Sequence, residues 1–237
     1  MEVLERLVFL DTETTGLDPR LGHRIIEVAA VEAIGRDLTG NQLHSYLDPE
    51  REIDSGATAV HGFSWEDLRG KPKFATIADE LLKFMSGARV IIHNAAFDVS
   101  FLDQELARLR QPPIAKRDMT ITDSLLLARE KFPGKRNSLD ALCDRLGVDN
   151  SHRNLHGALL DARLLAEVYF ALTRGQGMLE IDVQELPRAF DSNFVASDPR
   201  ASRLPIAEVG VPASALDAHV EYMARLAKNS GVTRPLH

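Results

Sequence analysis

The 237-residue chain has 44% hydrophobic residues, a formal net charge of -7 and one cysteine. That apolar content suffices for one large domain with an appendage, whereas the acidic balance excludes a broad, non-specific nucleic-acid footprint built from many Lys and Arg contacts to phosphate. Cys143 alone excludes an intramolecular disulfide and a cysteine-built zinc site, and no apolar run reaches the length of a membrane span. A soluble, cytoplasmic protein is expected, with neither a basic nor an apolar leader segment at its N-terminus.

In chain order, Leu7 to Leu10 are four consecutive apolar residues that read as a strand buried on both faces, and Asp11 and Glu13 end it. Side chains alternate along a strand, so these two acids point the same way, at the carboxyl edge of a sheet where α/β proteins place ligands. Oxygen-only donors that converge suit hard divalent cations such as Mg²⁺ or Mn²⁺. A solvent-facing acidic turn is the plainer reading of an isolated D-x-E. The segments HRIIEVAAVEAIG and QLHSYLDP are strand-like and separated by a DLTGN turn, which makes a meander with the first strand. The stretch IDSGATAVHGFSWEDLRGKP reads as irregular, and TIADELLKFMSG as a helix closed by Gly87.

A short strand, ARVIIHN, leads into a helix over AAFDVSFLDQELARL with Asn94 placed as its N-cap. Asp98 lies one turn further on, and Phe97 and Phe101 are spaced to anchor the helix in the core. A first-turn acid is commonly a dipole partner. MTITDS is expected as a strand, SLLLAREKF and NSLDALCDRLG as helices, and HGALLDARLLAEVYFALTRG as a long final helix. Within that last segment Asp161 is flanked by apolar residues, where a single acid is costly to bury unless paired or metal-bound. His156 precedes it by five residues, roughly 140° away on an ideal helix, so the two would approach a common centre from different directions. The alternation of strands and helices predicts a single α/β domain over residues 1–175. Residues 176–201 read as a linker and 202–237 as a compact C-terminal piece, in which Leu216, Val220, Met223 and Leu226 form an apolar helical stripe without a partner in its own segment.

Three motifs in this order, Asp11-x-Glu13, Asn94-x-x-Phe97-Asp98-x-x-Phe101 and His156-x-x-x-x-Asp161, resemble those of the DEDDh 3′–5′ exonucleases. FPGKRNSLDAL, HNAAFD and LHGALLDA, with the linker and C-terminal helix, are similar to the family of proofreading epsilon subunits of bacterial DNA polymerase III. The resemblance implies a ribonuclease H-like fold, a five-stranded mixed sheet flanked by helices with its second strand antiparallel. It implies two divalent ions, Mg²⁺ or Mn²⁺, held by Asp11, Glu13, Asp98 and Asp161, with His156 as general base. It also places Thr14, Val60, His61, His93 and Asn94 around the 3′-terminal nucleotide of DNA, although His61 reads equally well as a turn residue. The implied partners are a DNA 3′ end, single-stranded or frayed, and the polymerase III alpha subunit through the C-terminal segment. Gln176, Leu179 and Ile181 resemble a clamp-binding peptide and would touch the sliding clamp. Two rivals share the acids: an RNA-directed exonuclease of the same family, and a non-enzymatic scaffold that keeps only the fold.

Overall fold

The computed structural model describes residues 4–151 and 155–174. The expected linker, the clamp-type motif at Gln176, Leu179 and Ile181 and the C-terminal helix lie outside those residues. Five strands form one sheet in the order β3-β2-β1-β4-β5. Central β1 (Arg6–Thr14) runs antiparallel to β2 (Ile25–Ile34) and parallel to β4 (Arg89–Ile92). Strand β3 (Asp37–Tyr46) forms one edge and β5 (Thr120–Asp123) the other. The mixed sheet with an antiparallel second strand is the expected one.

The two faces of β1 select two helical layers. Val8 and Leu10 belong to one core with Phe101, Leu102 and Leu106 of α4 (Ala95–Arg108) and with Ile77, Leu81 and Met85 of α3 (Phe74–Met85). Leu7 and Phe9 belong to the other, with Leu142 and Cys143 of α6 (Leu139–Leu146) and Leu165 and Val168 of α7 (Ala158–Leu172). Cys143 is thus a buried helix residue, as expected. Alanines allow the closest approach: Ala29 and Val31 of β2 meet Ala158 and Ala162 of α7, and small side chains let the helix backbone settle on the sheet.

Three expectations need correction. DLTGN is not the hairpin turn; the strands meet through Gly35 and Arg36, with Gly35 at φ 61°, and β3 already begins at Asp37. The irregular segment contains two short helices, α1 (Ser55–His61) and α2 (Trp65–Leu68), the latter closed by a capping box between Ser64 and Asp67. His156 is not on the last helix, which starts two residues later, so the 140° argument does not apply to it. The remaining helix, α5 (Ser124–Lys131), follows β5 directly. No helix among the described residues is long and apolar enough to cross a membrane.

Candidate active site

The carboxyl end of β1 is where the two helical layers leave the sheet uncovered. Asp11 and Glu13 share the face of Leu7 and Phe9, toward α7, and Glu13 stands opposite Glu27 just before a register shift in the β1–β2 ladder. The alanine contact beneath α7 brings Asp161, in that helix's first turn, down beside them. From the opposite face, Thr12 donates its hydroxyl to Asp98 Oδ1 at 2.7 Å and so ties the first turn of α4 to β1. Four carboxylates on three elements therefore surround one strand end.

A cavity of about 300 Å³ is lined by Asp11, Glu13, Asp98, His156 and Asp161, together with His93 and Asn94. Donor atoms of Glu13, His156 and Asp161 lie within 4.8 Å of one another. His156 Nδ1 is 3.3 Å from Asp161 Oδ2, and the imidazole is 44% exposed whereas the carboxylate is 4% exposed. The peptide N–H of His156 donates to the Val60 carbonyl at 3.2 Å, anchoring the approach to α7 on helix α1. Burial pushes the Asp98 carboxyl up from 3.8 to about 7, against the lowering effect of the Thr12 hydroxyl. A donor set of crowded carboxylates, one of them reluctant to ionise, fits a divalent cation well: the ion would supply the positive charge that this set lacks.

A second cavity, of about 580 Å³, adjoins the first and shares Thr12, Glu13 and Phe97 with it. Thr14, Val60 and His61 line this larger space. His61 is buried at the end of α1, where its Nδ1 accepts from the Phe63 N–H at 3.1 Å, which leaves the ring proton on Nε2. Burial lowers its pKa. The ring of His93 is held by Ser124, with Nδ1 to Oγ at 2.9 Å, and burial lowers its pKa too. The ten expected site residues thus fall on two joined cavities: Thr14, Val60 and His61 on the larger, His93 and Asn94 on the smaller with Asp11, Glu13, Asp98, His156 and Asp161, and Glu13 on both. Lys135 and Arg136, the exposed basic turn after Pro133, line neither.

Other residues of the site carried no such expectation. Thr12 lines both cavities and fixes Asp98; its signal was present, since it lies between the two acids. Phe97, expected only as a core anchor, is half-buried and forms a wall common to both cavities, tilted against the fully buried Phe101 at 4.9 Å. Such an aromatic face is suited to stacking on a base. Gly16, on the rim of the larger cavity, permits the His23 ring to approach so closely that a Cβ there would lie 2.3 Å from it. His23 in turn contacts Thr15 Oγ1 at 3.0 Å and Asp54 at 3.5 Å, holding the start of α1 against β1.

Comparison with known proteins places this geometry. The exonuclease family of the RNase T type matches residues 8–169. The DNA polymerase III subunit epsilon of Rickettsia typhi is 55% identical over 172 residues, which cover 72% of this chain and 75% of that protein. That of Rickettsia felis is 42% identical over 228 residues, covering 95% of this chain and 98% of the relative. Among solved structures, exonuclease X in complex with 5′-overhanging duplex DNA superimposes with a TM-score of 0.57 at 25% identity, covering 72% of this chain and 93% of that one.

Proposed function

The chain belongs to the RNase T-type exonuclease family and, within it, to the epsilon subunits of DNA polymerase III, and from that premise we propose that it is a proofreading 3′–5′ exonuclease that hydrolyses the 3′-terminal phosphodiester of DNA and releases 5′-mononucleotides. The observation that supports this reading is the convergence of Asp11, Glu13, Asp98, Asp161 and His156 on one cavity. Asp11, Glu13, Asp98 and Asp161 would hold two divalent ions, Mg²⁺ or Mn²⁺. When bound, such ions polarise a phosphoryl oxygen, acidify water and stabilise the charge that develops on the leaving oxygen.

The protein's own groups do the rest. His156, with Nδ1 toward Asp161, keeps its lone pair on Nε2, and this atom takes the proton of the attacking water. Its exposure lets that proton pass to solvent between turnovers. The terminal nucleoside occupies the larger cavity against Phe97, Val60, His61 and Thr14, and the scissile phosphate sits by His93 and Asn94. A stacking surface accepts every base, as a proofreader must. Residues 202–237 dock on the polymerase III alpha subunit, 176–201 act as the leash, and Gln176, Leu179 and Ile181 contact the sliding clamp. The location that goes with this role is the cytoplasm.

The test is single-turnover digestion of DNA with a paired or mismatched 3′ end, alongside single-stranded RNA of the same sequence. Mismatched DNA should be degraded fastest in Mg²⁺ or Mn²⁺. Asp11→Ala should lose activity by about a thousandfold or more, and His156→Ala should lose activity while divalent ions still raise its thermal stability. Near-wild-type cleavage by Asp11→Ala, or faster cleavage of RNA than of DNA, would sink the reading.

A further inference from the structure

Asn94 stands at the N-cap position of α4 but does not cap it. It sits in the left-handed region, at φ 69° and ψ 52°, and its side chain makes no cap hydrogen bond. The N–H groups of Asn94 and Ala95, on either side of the residue 94 Cα, are satisfied from 29 and 28 residues away in sequence. Asp123, in register with Ile92 across the parallel β4–β5 pair, accepts from the Asn94 N–H through Oδ1 at 3.2 Å and from the Ala95 N–H through Oδ2 at 3.1 Å. The same carboxylate caps its own helix, with Leu125 N–H at 2.8 Å and Leu126 N–H at 3.4 Å on Oδ1. One charged group thus accepts from N–H groups at the N-terminal ends of two helices, where a carboxylate is favoured by the helix dipoles as well as by the N–H groups.

We propose that Asp123 is a positioning residue for the exonuclease reaction, which grips the peptide N–H groups on either side of the Asn94 Cα, holds that residue in its left-handed conformation and thereby keeps the Asn94 side chain directed to the substrate cavity. The physical basis is the backbone conformation that the carboxylate holds at residue 94. Asparagine is among the best N-cap residues, but to cap it must adopt extended backbone and turn its side chain back on the helix. A left-handed asparagine is tolerated and unusual. Here it persists because Asp123 accepts from the N–H groups on either side of the residue 94 Cα and so holds that backbone in the left-handed conformation, in which the Asn94 side chain does not cap and lines the cavity that holds the five catalytic groups. The neighbour in sequence works in the same direction: Ser124, fully buried, accepts from or donates to His93 Nδ1 at 2.9 Å and so fixes the other polar residue on this wall. Removal of the Asp123 carboxylate frees the helix start, Asn94 relaxes into its own cap, and the cavity loses a polar contact to the nucleotide.

The inference rests on the proposed function, and its test separates the two. Asp123→Ser keeps a good cap for α5 but lacks the second oxygen that reaches Ala95. With Mn²⁺ saturating and below the unfolding temperature, Asp123→Ser should raise KM for hydrolysis of a thymidine 5′-monophosphate aryl ester about tenfold, and weaken binding of thymidine 5′-monophosphate in parallel, with kcat changed far less. In an Asn94→Gly background, where residue 94 has no side chain to lose and is at ease at positive φ, Asp123→Ser should have no further effect on either quantity. An unchanged KM and product affinity in Asp123→Ser would overturn the proposal. So would a full additional loss in the Asn94→Gly background, since Asp123 would then act other than through Asn94. Failure of Asp123→Ser to fold would make the carboxylate a determinant of the fold and overturn it equally. Absence of hydrolysis by the wild-type chain would count against the proposed function itself.

Discussion

At the scale of single residues, the site is a balance between charges that repel and burial that forbids them. Asp98 is 4% exposed, and burial raises its carboxyl to about 7 from an ordinary 3.8. A raised folded-state pKa means that the folded protein holds the proton more tightly than the unfolded chain does. The stabilisation is therefore complete below about pH 4 and is lost as pH rises through about 7. Asp98→Asn removes this dependence yet keeps an oxygen to accept the Thr12 hydroxyl. With chelator present, the variant should melt a few degrees above the wild type at pH 8, and the gap should close at pH 4. A saturating divalent cation should narrow the gap at pH 8, because the ion stabilises only the ionised carboxylate. Melting curves of the two proteins that stay parallel across this range would show that Asp98 is not held in its unfavoured charge state.

At the scale of elements, α4 is pinned at four points along its length: Asp123 at its start, Thr12 at Asp98, the Ile114 N–H at Asp103, and Arg24 at Glu105. The last pair is bidentate, with Nε and the second terminal nitrogen of Arg24 at 2.6 and 2.8 Å from the Glu105 oxygens, and Glu105 is 3% exposed. Its hydrogen bond to Glu105 holds the Arg24 guanidinium above its usual pKa. Glu105→Ala would leave a largely buried guanidinium without its partner, and should cost about 3 kcal/mol of stability. Because Glu105 lies two turns beyond Asp98, chemical denaturation should record this loss while kcat at low temperature stays near that of the wild type. Equal stability of Glu105→Ala and wild type would mean that the Arg24–Glu105 pair adds nothing to the hold on α4.

The same elements show what a sequence discloses and what it conceals. Strand β1 was legible because burial on both faces forces an unbroken apolar run, and the acids that end it are visible against it. The first half of β3 was not: residues 37–42 are all exposed at the sheet edge, so no alternation marks them as strand. Helix α1, SGATAVH, has a glycine and β-branched residues of low helical propensity, and it forms around the burial of His61 against the site. The acids and His156 could be paired with one another through motif order, but the hold of Asp123 on the backbone of Asn94 could not, since it joins two helix starts and depends on strand register. Phe97 was placed in the core because an i, i+4 aromatic pair is usually buried, and only the tertiary fold shows one ring of the pair facing the cavities.

At the scale of the whole molecule, the chain has a chemistry that needs DNA and a charge that disfavours it. A net charge of -7 gives the domain little long-range attraction for phosphate, and the basic turn at Lys135 and Arg136 lines neither cavity. Intrinsic affinity for a 3′ end should therefore be weak, and a polymerase partner would supply the missing encounter rate. With residues 176–201 as the proposed leash, the square-root scaling of flexible chains would give a typical reach of roughly 25 to 30 Å, which would correspond to an effective concentration on the order of millimolar. At that concentration weak capture of a frayed end would be sufficient, and with the terminal nucleotide bound as proposed, a well-paired end would escape because that nucleotide must first unstack to enter a cavity of about 580 Å³. Truncation after Gly175 separates the two contributions. The shortened chain retains every residue that lines the two cavities, so its hydrolysis of short single strands should remain within about twofold of the full chain. Its co-elution with the polymerase on size exclusion should be lost, and with it the preferential removal of mismatched ends during synthesis. If the truncated chain still co-elutes with the polymerase, the docking surface lies on the exonuclease domain, and the apolar stripe of Leu216, Val220, Met223 and Leu226 serves another contact.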